Sequence, residues 1–301
     1  MGPPVRLLQI AVIAVTAVGS LPVEAADIIA DPSHDFGAVL EGKIEQGDFK
    51  KLHSFLFDGN FPREIYLASP GGDLAEAIKI GQLIRSLKIE TAVPGKVPKK
   101  FFADFVRMHN LKQPDADYMC TSACFFVFVA GIKRFVDSPF GGAILGIHKP
   151  YLSDADLKAV TSDEAIAYTD RTRAAVEHYL KEMGVPEKYA DEMFGISKNN
   201  IRWISDDEVR TDFDGFIPEL RDWVDARCDK RSNAEKALWE QMMRGKTYAE
   251  LTPTERAIEK TLFEKHRQQV QCENELQSNL SAQAYVQALE HQSPQLPASP
   301  K

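Results

Sequence analysis

Glu64-Ile-Tyr-Leu-Ala-Ser-Pro-Gly-Gly-Asp73 is the stretch from which the fold can be read. A short apolar run enters a dense turn signal, Ser69-Pro-Gly-Gly-Asp73. Beyond it Leu74, Ala77, Ile78, Gly81 and Ile84 recur at i, i+3, i+4 spacing, the apolar stripe of a helix. Strand, tight turn and amphipathic helix make one unit of an α/β fold. Working outward, Ala38–Ile44 reads as a preceding strand, closed by Gly47-Asp48 and followed by a short helix through Phe55. Ile89–Val93 reads as the next strand. Arg134–Val136, Ile144–His148 and, last in the domain, Ile201–Ile204 extend the series. Thr161-Ser-Asp-Glu164 opens a helix with a capping box, and Gly184 with Pro186 ends it.

The two ends differ from this body. Arg6, the apolar stretch Leu7–Val18 and the small residues of Pro22-Val-Glu-Ala25 have the layout of a cleaved signal peptide, with Ala26 as the mature start. The apolar stretch is shorter than the about 20 residues that span a bilayer. Residues 1–25 are therefore expected to direct a periplasmic or secreted protein, with no membrane span after cleavage. From about Asp222 the chain becomes helical, charged and poor in glycine. Ser232-Asn-Ala-Glu235 and Thr252-Pro-Thr-Glu255 are capping boxes on either side of Gly245. Residues 26–221 are expected to form the α/β domain, 222–292 a helical hairpin and 293–301 a Pro/Ser-rich disordered tail. Residues 96–119, which mix basic and aromatic side chains, read as an inserted, partly helical loop beside the site.

The net charge of −8 and the absence of a basic run argue against a nucleic-acid partner. The four cysteines, an even count in an oxidising compartment, suggest disulfides, and three pairings are open. Cys228 precedes the first hairpin helix and Cys272 lies along the second, so a bridge between them would staple the hairpin. Cys120 and Cys124 either pair with each other, if Cys120 is not helical, or are two small buried residues. The seven histidines are scattered, and neither CxxC nor HExxH occurs, so no metal and no cofactor are expected.

Acyl transfer through a serine needs a base, an oxyanion site and a group that orients the base. Ser122 opens the apolar run Ala123–Ala130, and the Ala123 N–H lies beside it. Gly71 and Gly72 permit close backbone approach and offer further N–H donors to an oxyanion. His148 ends an apolar strand and precedes Lys149-Pro150. Taken singly, each has a bland alternative: a serine at a helix start is usually a cap, a histidine after a strand is usually structural, and a Pro-Gly-Gly turn is usually just a turn.

Order and spacing change that balance. The elements are Leu67-Ala-Ser-Pro-Gly-Gly-Asp73, Ser122 followed by Ala130-Gly131, Arg134-Phe135, and Ile147-His-Lys-Pro150. Over about residues 36 to 217 the chain resembles the Clp protease proteolytic subunit (ClpP) and its crotonase-like superfamily, most closely an exported periplasmic branch. The resemblance implies a ClpP/crotonase-like ββα spiral carrying a C-terminal helical hairpin. It also implies Ser122 as nucleophile, His148 as base, and the N–H groups of Gly72 and Ala123 as oxyanion donors, with Gly71 adjoining them. The family's triad acid has no counterpart in Ser197-Lys-Asn-Asn-Ile201. Asn200 or Asn199 is the expected orienting residue, with Asp191 and Asp206 as nearby substitutes. The family's connection corresponding to residues 96–119 is much shorter, so the resemblance implies that this segment is a lid or part of the substrate wall.

The resulting expectation is an exported serine peptidase that cleaves envelope polypeptides without ATP. A ClpP-like scaffold whose triad has decayed, serving as a binding or adaptor protein, is the alternative. An acyl-CoA enzyme of the crotonase type ranks third. The family forms rings, so a homo-oligomer is an open expectation that the hairpin would block or replace.

Overall fold

A computed structural model describes residues 25–33, 37–138, 142–151, 158–197, 199–244 and 247–292. Residues 1–24, Gly245 and residues 293–301 lie outside the described residues, as do the signal-peptide and tail expectations that fall on them.

A six-stranded sheet runs in the order β1 (Asp27–Ala30), β2 (Gly37–Glu41), β3 (Glu64–Ala68), β4 (Glu90–Pro94), β6 (Lys133–Asp137) and β9 (Gly215–Phe216). Its four central strands are parallel, and β1 and β9 close the two edges antiparallel. A second sheet holds β5 (Cys120–Thr121), β7 (Leu145–Ile147) and β8 (Arg202–Trp203). The helices are α1 (Asp48–Phe55), α2 (Leu74–Ser86), α3 (Lys99–Met108), α4 (Pro114–Asp117), α5 (Ala123–Phe128), α6 (Ser162–Glu182), α7 (Lys188–Gly195), α8 (Asp206–Glu208), α9 (Pro218–Asp225), α10 (Asn233–Met243) and α11 (Pro253–Gln292). The fold is mixed α/β, with helices at the C-terminal end.

Both faces of the large sheet are covered, as the near-continuous apolar strands require. Leu40, Ile65, Leu67 and Val93 face the main core, where they meet α2, α5, α6 and α7. The alternating residues Val39, Tyr66, Ala68 and Ala92 face the other way and pack on Phe102, Val106, Leu111 and Tyr118. The inserted segment is therefore the covering layer of the far sheet face. This corrects the lid expectation: none of residues 96–119 lines the cleft described below.

The centre of the main core is α5, whose six residues are all buried. Each large apolar side chain removed from water contributes about 1.5–3 kcal/mol, so Phe125 and Phe128 anchor the helix firmly. Its C-terminal end is held by charge as well. Arg85 donates to Ala130 O and Val129 O, and the buried Arg134 donates to Val129 O and Met183 O. These guanidinium groups satisfy carbonyls just past the helix end that would otherwise be orphaned in an apolar core. Burial, with Arg85 nearby, lowers the Arg134 pKa to about 9.

The C-terminal helices pack on the body as well as on each other. The boundary expected at 221/222 falls inside α9. Helix α11 is 40 residues long. Its first half pairs with α10, while its second half docks on the body. There Gln277 donates to Arg63 O and Lys88 O, Ser281 to Leu87 O, and Tyr285 to Pro62 O. Tyr285 belongs to the main core. Cys228 and Cys272 form a disulfide that fastens α11 to the chain leaving α9. Among the described residues no helix is long and apolar enough to cross a membrane.

Candidate functional site

The site is assembled by two short backbone ladders. β3 continues past Ala68 so that Ser69 bridges Cys120, with Ser69 N donating to Met119 O and Thr121 N to Ser69 O. The Thr121 hydroxyl donates to Pro70 O at 2.9 Å. These bonds lay the Pro-Gly-Gly turn against Ser122. On the other flank, Cys120 N donates to Ile144 O and Ser122 N to Gly146 O at 3.0 Å. The parallel β5/β7 register pairs Thr121 with Gly146, so His148 leaves β7 close beyond Ser122.

Ser122 has φ 57° and ψ −123°. A residue with a Cβ rarely adopts such a backbone, at a cost of order 1–3 kcal/mol, and it persists only where the surroundings over-determine it. Ser122 also occupies the N-cap position of α5 without making a capping bond. Asp73, Thr161, Ser205 and Ser232, at the same position of other helices, all accept a bond from the following turn. The bland reading of Ser122 as a cap therefore fails, and its hydroxyl is left for other use.

Gly71 and Gly72 are both required as glycines. At Gly71 (φ 96°) a Cβ would fall 2.5 Å from the Ser122 Cβ and 2.8 Å from Ala123 N. At Gly72 (φ 145°) it would fall 2.0 Å from Ile44 O. The turn is held by Ile44, which donates to Gly71 O and accepts from Asp73 N. The Gly71 N–H is engaged by the Ser69 hydroxyl at 3.1 Å. This pattern turns the Gly72 N–H away from Ile44. Among the described residues neither the Gly72 nor the Ala123 N–H has an acceptor.

These groups line one cleft of about 820 Å³, together with Ile44, Leu74, Phe126 and the aromatic rings of Tyr151 and Tyr168. Lys43 and Glu45, paired at 3.1 Å, stand on its wall. Ser122 and His148 share the cleft, and no hydrogen bond joins them. His148 Nδ1 lies 2.9 Å from Lys149 O. A carbonyl only accepts, so Nδ1 is the donor in this contact, which in a neutral ring leaves Nε2 as the acceptor.

The expected orienting residues are elsewhere. Asn199 and Asn200 are exposed, and neither bonds to His148. Asp191 pairs with Arg173 and Asp206 with Lys96. Among the described residues the Lys149 carbonyl is the partner of the His148 ring, and it escaped sequence reasoning because every residue carries a carbonyl. Cys120 and Cys124 form a disulfide with Cα atoms 5.2 Å apart, which resolves that alternative. Among the described residues no group of His, Cys, Asp and Glu could hold a metal ion.

Sequence reasoning also missed a buried cluster around His109. Its Nδ1 lies 3.1 Å from Asp31 Oδ2 and its Nε2 lies 2.8 Å from Asp137 Oδ2, and the ring stacks on Tyr66 at 4.1 Å. The Ser33 hydroxyl donates to Asp31 Oδ1 at 2.6 Å and lies 3.3 Å from His109 Nδ1. Serine, histidine and aspartate stand here in triad order, but the chemistry is wrong for a base. Burial opposes the charged ring, yet its bonds to Asp137 and Asp31 outweigh burial and raise the His109 pKa to about 9. An imidazolium has no lone pair to take a proton. The cluster fastens the end of α3 to the ends of β1 and β6, and none of its members lines the cleft.

No known protein-family model matches the chain, and a search of curated proteins finds no match.

Proposed function

We propose that the protein is an exported serine peptidase of the ClpP-like type, acting on polypeptides through an acyl-enzyme without ATP. The observation that carries this reading is the Ser122 hydroxyl, free of any capping bond on a strained backbone and sharing a cleft with His148. In the reaction the Ser122 Oγ attacks a substrate carbonyl while His148 Nε2 takes its proton. The Gly72 and Ala123 N–H groups hold the oxyanion, and His148 returns the proton to the leaving amine. Water, activated by the same imidazole, then releases the acyl group. The bond from Nδ1 to Lys149 O keeps the ring in the tautomer this sequence needs. The two disulfides fit an oxidising compartment, in line with the signal-like N-terminus.

One observation favours a second reading. Among the described residues His148 has no carboxylate or amide partner, which suits a ClpP-like binding scaffold that has lost its activity. A fluorophosphonate probe separates the two. The peptidase reading expects covalent labelling of the mature protein that disappears in Ser122→Ala and collapses in His148→Ala. No labelling between about pH 6 and 9, where a serine–histidine pair would operate, would leave the scaffold.

A further inference from the structure

Cys120 and Cys124 enclose Ser122 in a ring of five residues closed by a disulfide. We infer that this disulfide is a permanent covalent brace of the nucleophile, and that Cys120 and Cys124 are positioning residues for the acyl-transfer reaction. The inference rests on the proposed peptidase reading.

The chain around Ser122 changes from strand to helix within three residues, from Thr121 in β5 to Ala123 in α5. At that junction Ser122 adopts the positive φ that a side-chain-bearing residue disfavours. Among the described residues, the backbone bonds at the junction include Thr121 N to Ser69 O, Ser122 N to Gly146 O, and Phe125 N to Ser122 O. The first two end in separate segments, the extension of β3 and strand β7. The disulfide adds a tie within the segment itself. It fixes the end of β5 to the first turn of α5, and it leaves Ser122 no room to relax toward an ordinary helical or extended backbone without moving both.

Burial decides between a brace and a redox switch. Both cysteines are fully buried, with Cys124 inside the main core beside Phe125. Disulfide exchange requires in-line access of a thiolate to sulfur, and the folded protein denies it. The pair is therefore set once, on folding in an oxidising compartment, and remains closed while the enzyme works.

The test compares three mature proteins: wild type, Cys120→Ala/Cys124→Ala, and Cys120→Val/Cys124→Ala, which restores buried volume. Inactivation by a fluorophosphonate is resolved into a maximal rate and a half-saturation concentration. A Cys228→Ala/Cys272→Ala variant serves as the control for general stability. A displaced nucleophile costs up to about 100-fold in rate, so both variants of the Ser122 ring are expected to lose about tenfold or more in maximal rate with half-saturation little changed. The control should melt earlier yet label at the wild-type rate. Equal maximal rates in wild type and ring variants would overturn the brace, as would loss of wild-type labelling on adding dithiothreitol to the folded protein. If wild type itself does not label, the peptidase reading fails, and hydrogen exchange at the Ser122 amide decides the brace separately. Exchange accelerated about tenfold in the ring variants supports it, since local opening governs exchange, and unchanged exchange overturns it. Should the alanine pair not fold, the valine variant carries the same comparison.

Discussion

Gly71 stands so close to Ser122 that a methyl group on it would lie 2.5 Å from the Ser122 Cβ. Its φ of 96° adds backbone strain for any residue other than glycine. Gly71→Ala must push Ser122, Thr121 or the turn aside. We expect fluorophosphonate labelling to fall by about 100-fold or more, with the protein still folded by circular dichroism. A Gly71→Ala protein that labels like wild type would remove the turn from the site.

Among the described residues, His148 Nδ1 bonds to the Lys149 carbonyl and the ring bonds to neither Asn199 nor Asn200. Asn199→Ala and Asn200→Ala, both at exposed positions, are expected to label within about twofold of wild type, as surface changes rarely matter. His148→Ala should lose about 10³-fold or more, the order seen when a triad base is removed. A large loss in either asparagine variant would restore the amide as the third member.

The His109 cluster predicts a stability profile in pH. The His109 pKa rises from 6.5 unfolded to about 9 folded, so its contribution is complete below about 6.5 and is lost as pH rises through about 9. Burial would raise the Asp31 pKa, but the bonds from His109 and Ser33 lower it from 3.8 to about 2. Its contribution is present above about 3.8 and is lost as pH falls through about 2. Urea midpoints should accordingly fall between pH 7 and 10 in wild type, and more gently in His109→Gln. Removing one member of such a buried pair costs about 3–5 kcal/mol, which is the loss expected for His109→Ala at pH 6. A flat wild-type profile would remove the cluster as the cause.

The Cys228–Cys272 disulfide closes a long loop, its ends 44 positions apart in the sequence. Cross-links of this length typically contribute about 2–4 kcal/mol by restricting the unfolded chain. Cys228→Ala/Cys272→Ala should therefore lower the denaturant midpoint and raise exchange in α10 and the first half of α11. The second half, held by Gln277, Ser281 and Tyr285, should stay protected. Exchange rising equally along the whole helix would mean that the disulfide, not the docking, holds α11 on the body.

What the sequence by itself determined were features whose cause is local. The Ser-Pro-Gly-Gly turn between strand and helix follows from backbone conformations that glycine and proline alone favour. Capping boxes at Thr161 and Ser232 are read within four residues. The apolar strands and the stripe of α2 follow from side-chain periodicity, and the order of Gly72, Ser122 and His148 marked the residues that meet in the cleft. Tertiary structure decided everything that depends on partners distant in the chain. Strands β1 and β9 are short and gain definition only from the edges of a sheet already formed. Residues 96–119 have an apolar face in either reading, and only the unoccupied far side of the sheet determines that it covers Tyr66 and Ala68 and not the cleft. Among the described residues the partner of the His148 ring is a backbone carbonyl, which no residue type signals. The Cys120–Cys124 bridge required Cys120 to be a strand residue, and Ser69 and Ile144, pairing across from other segments, made it one.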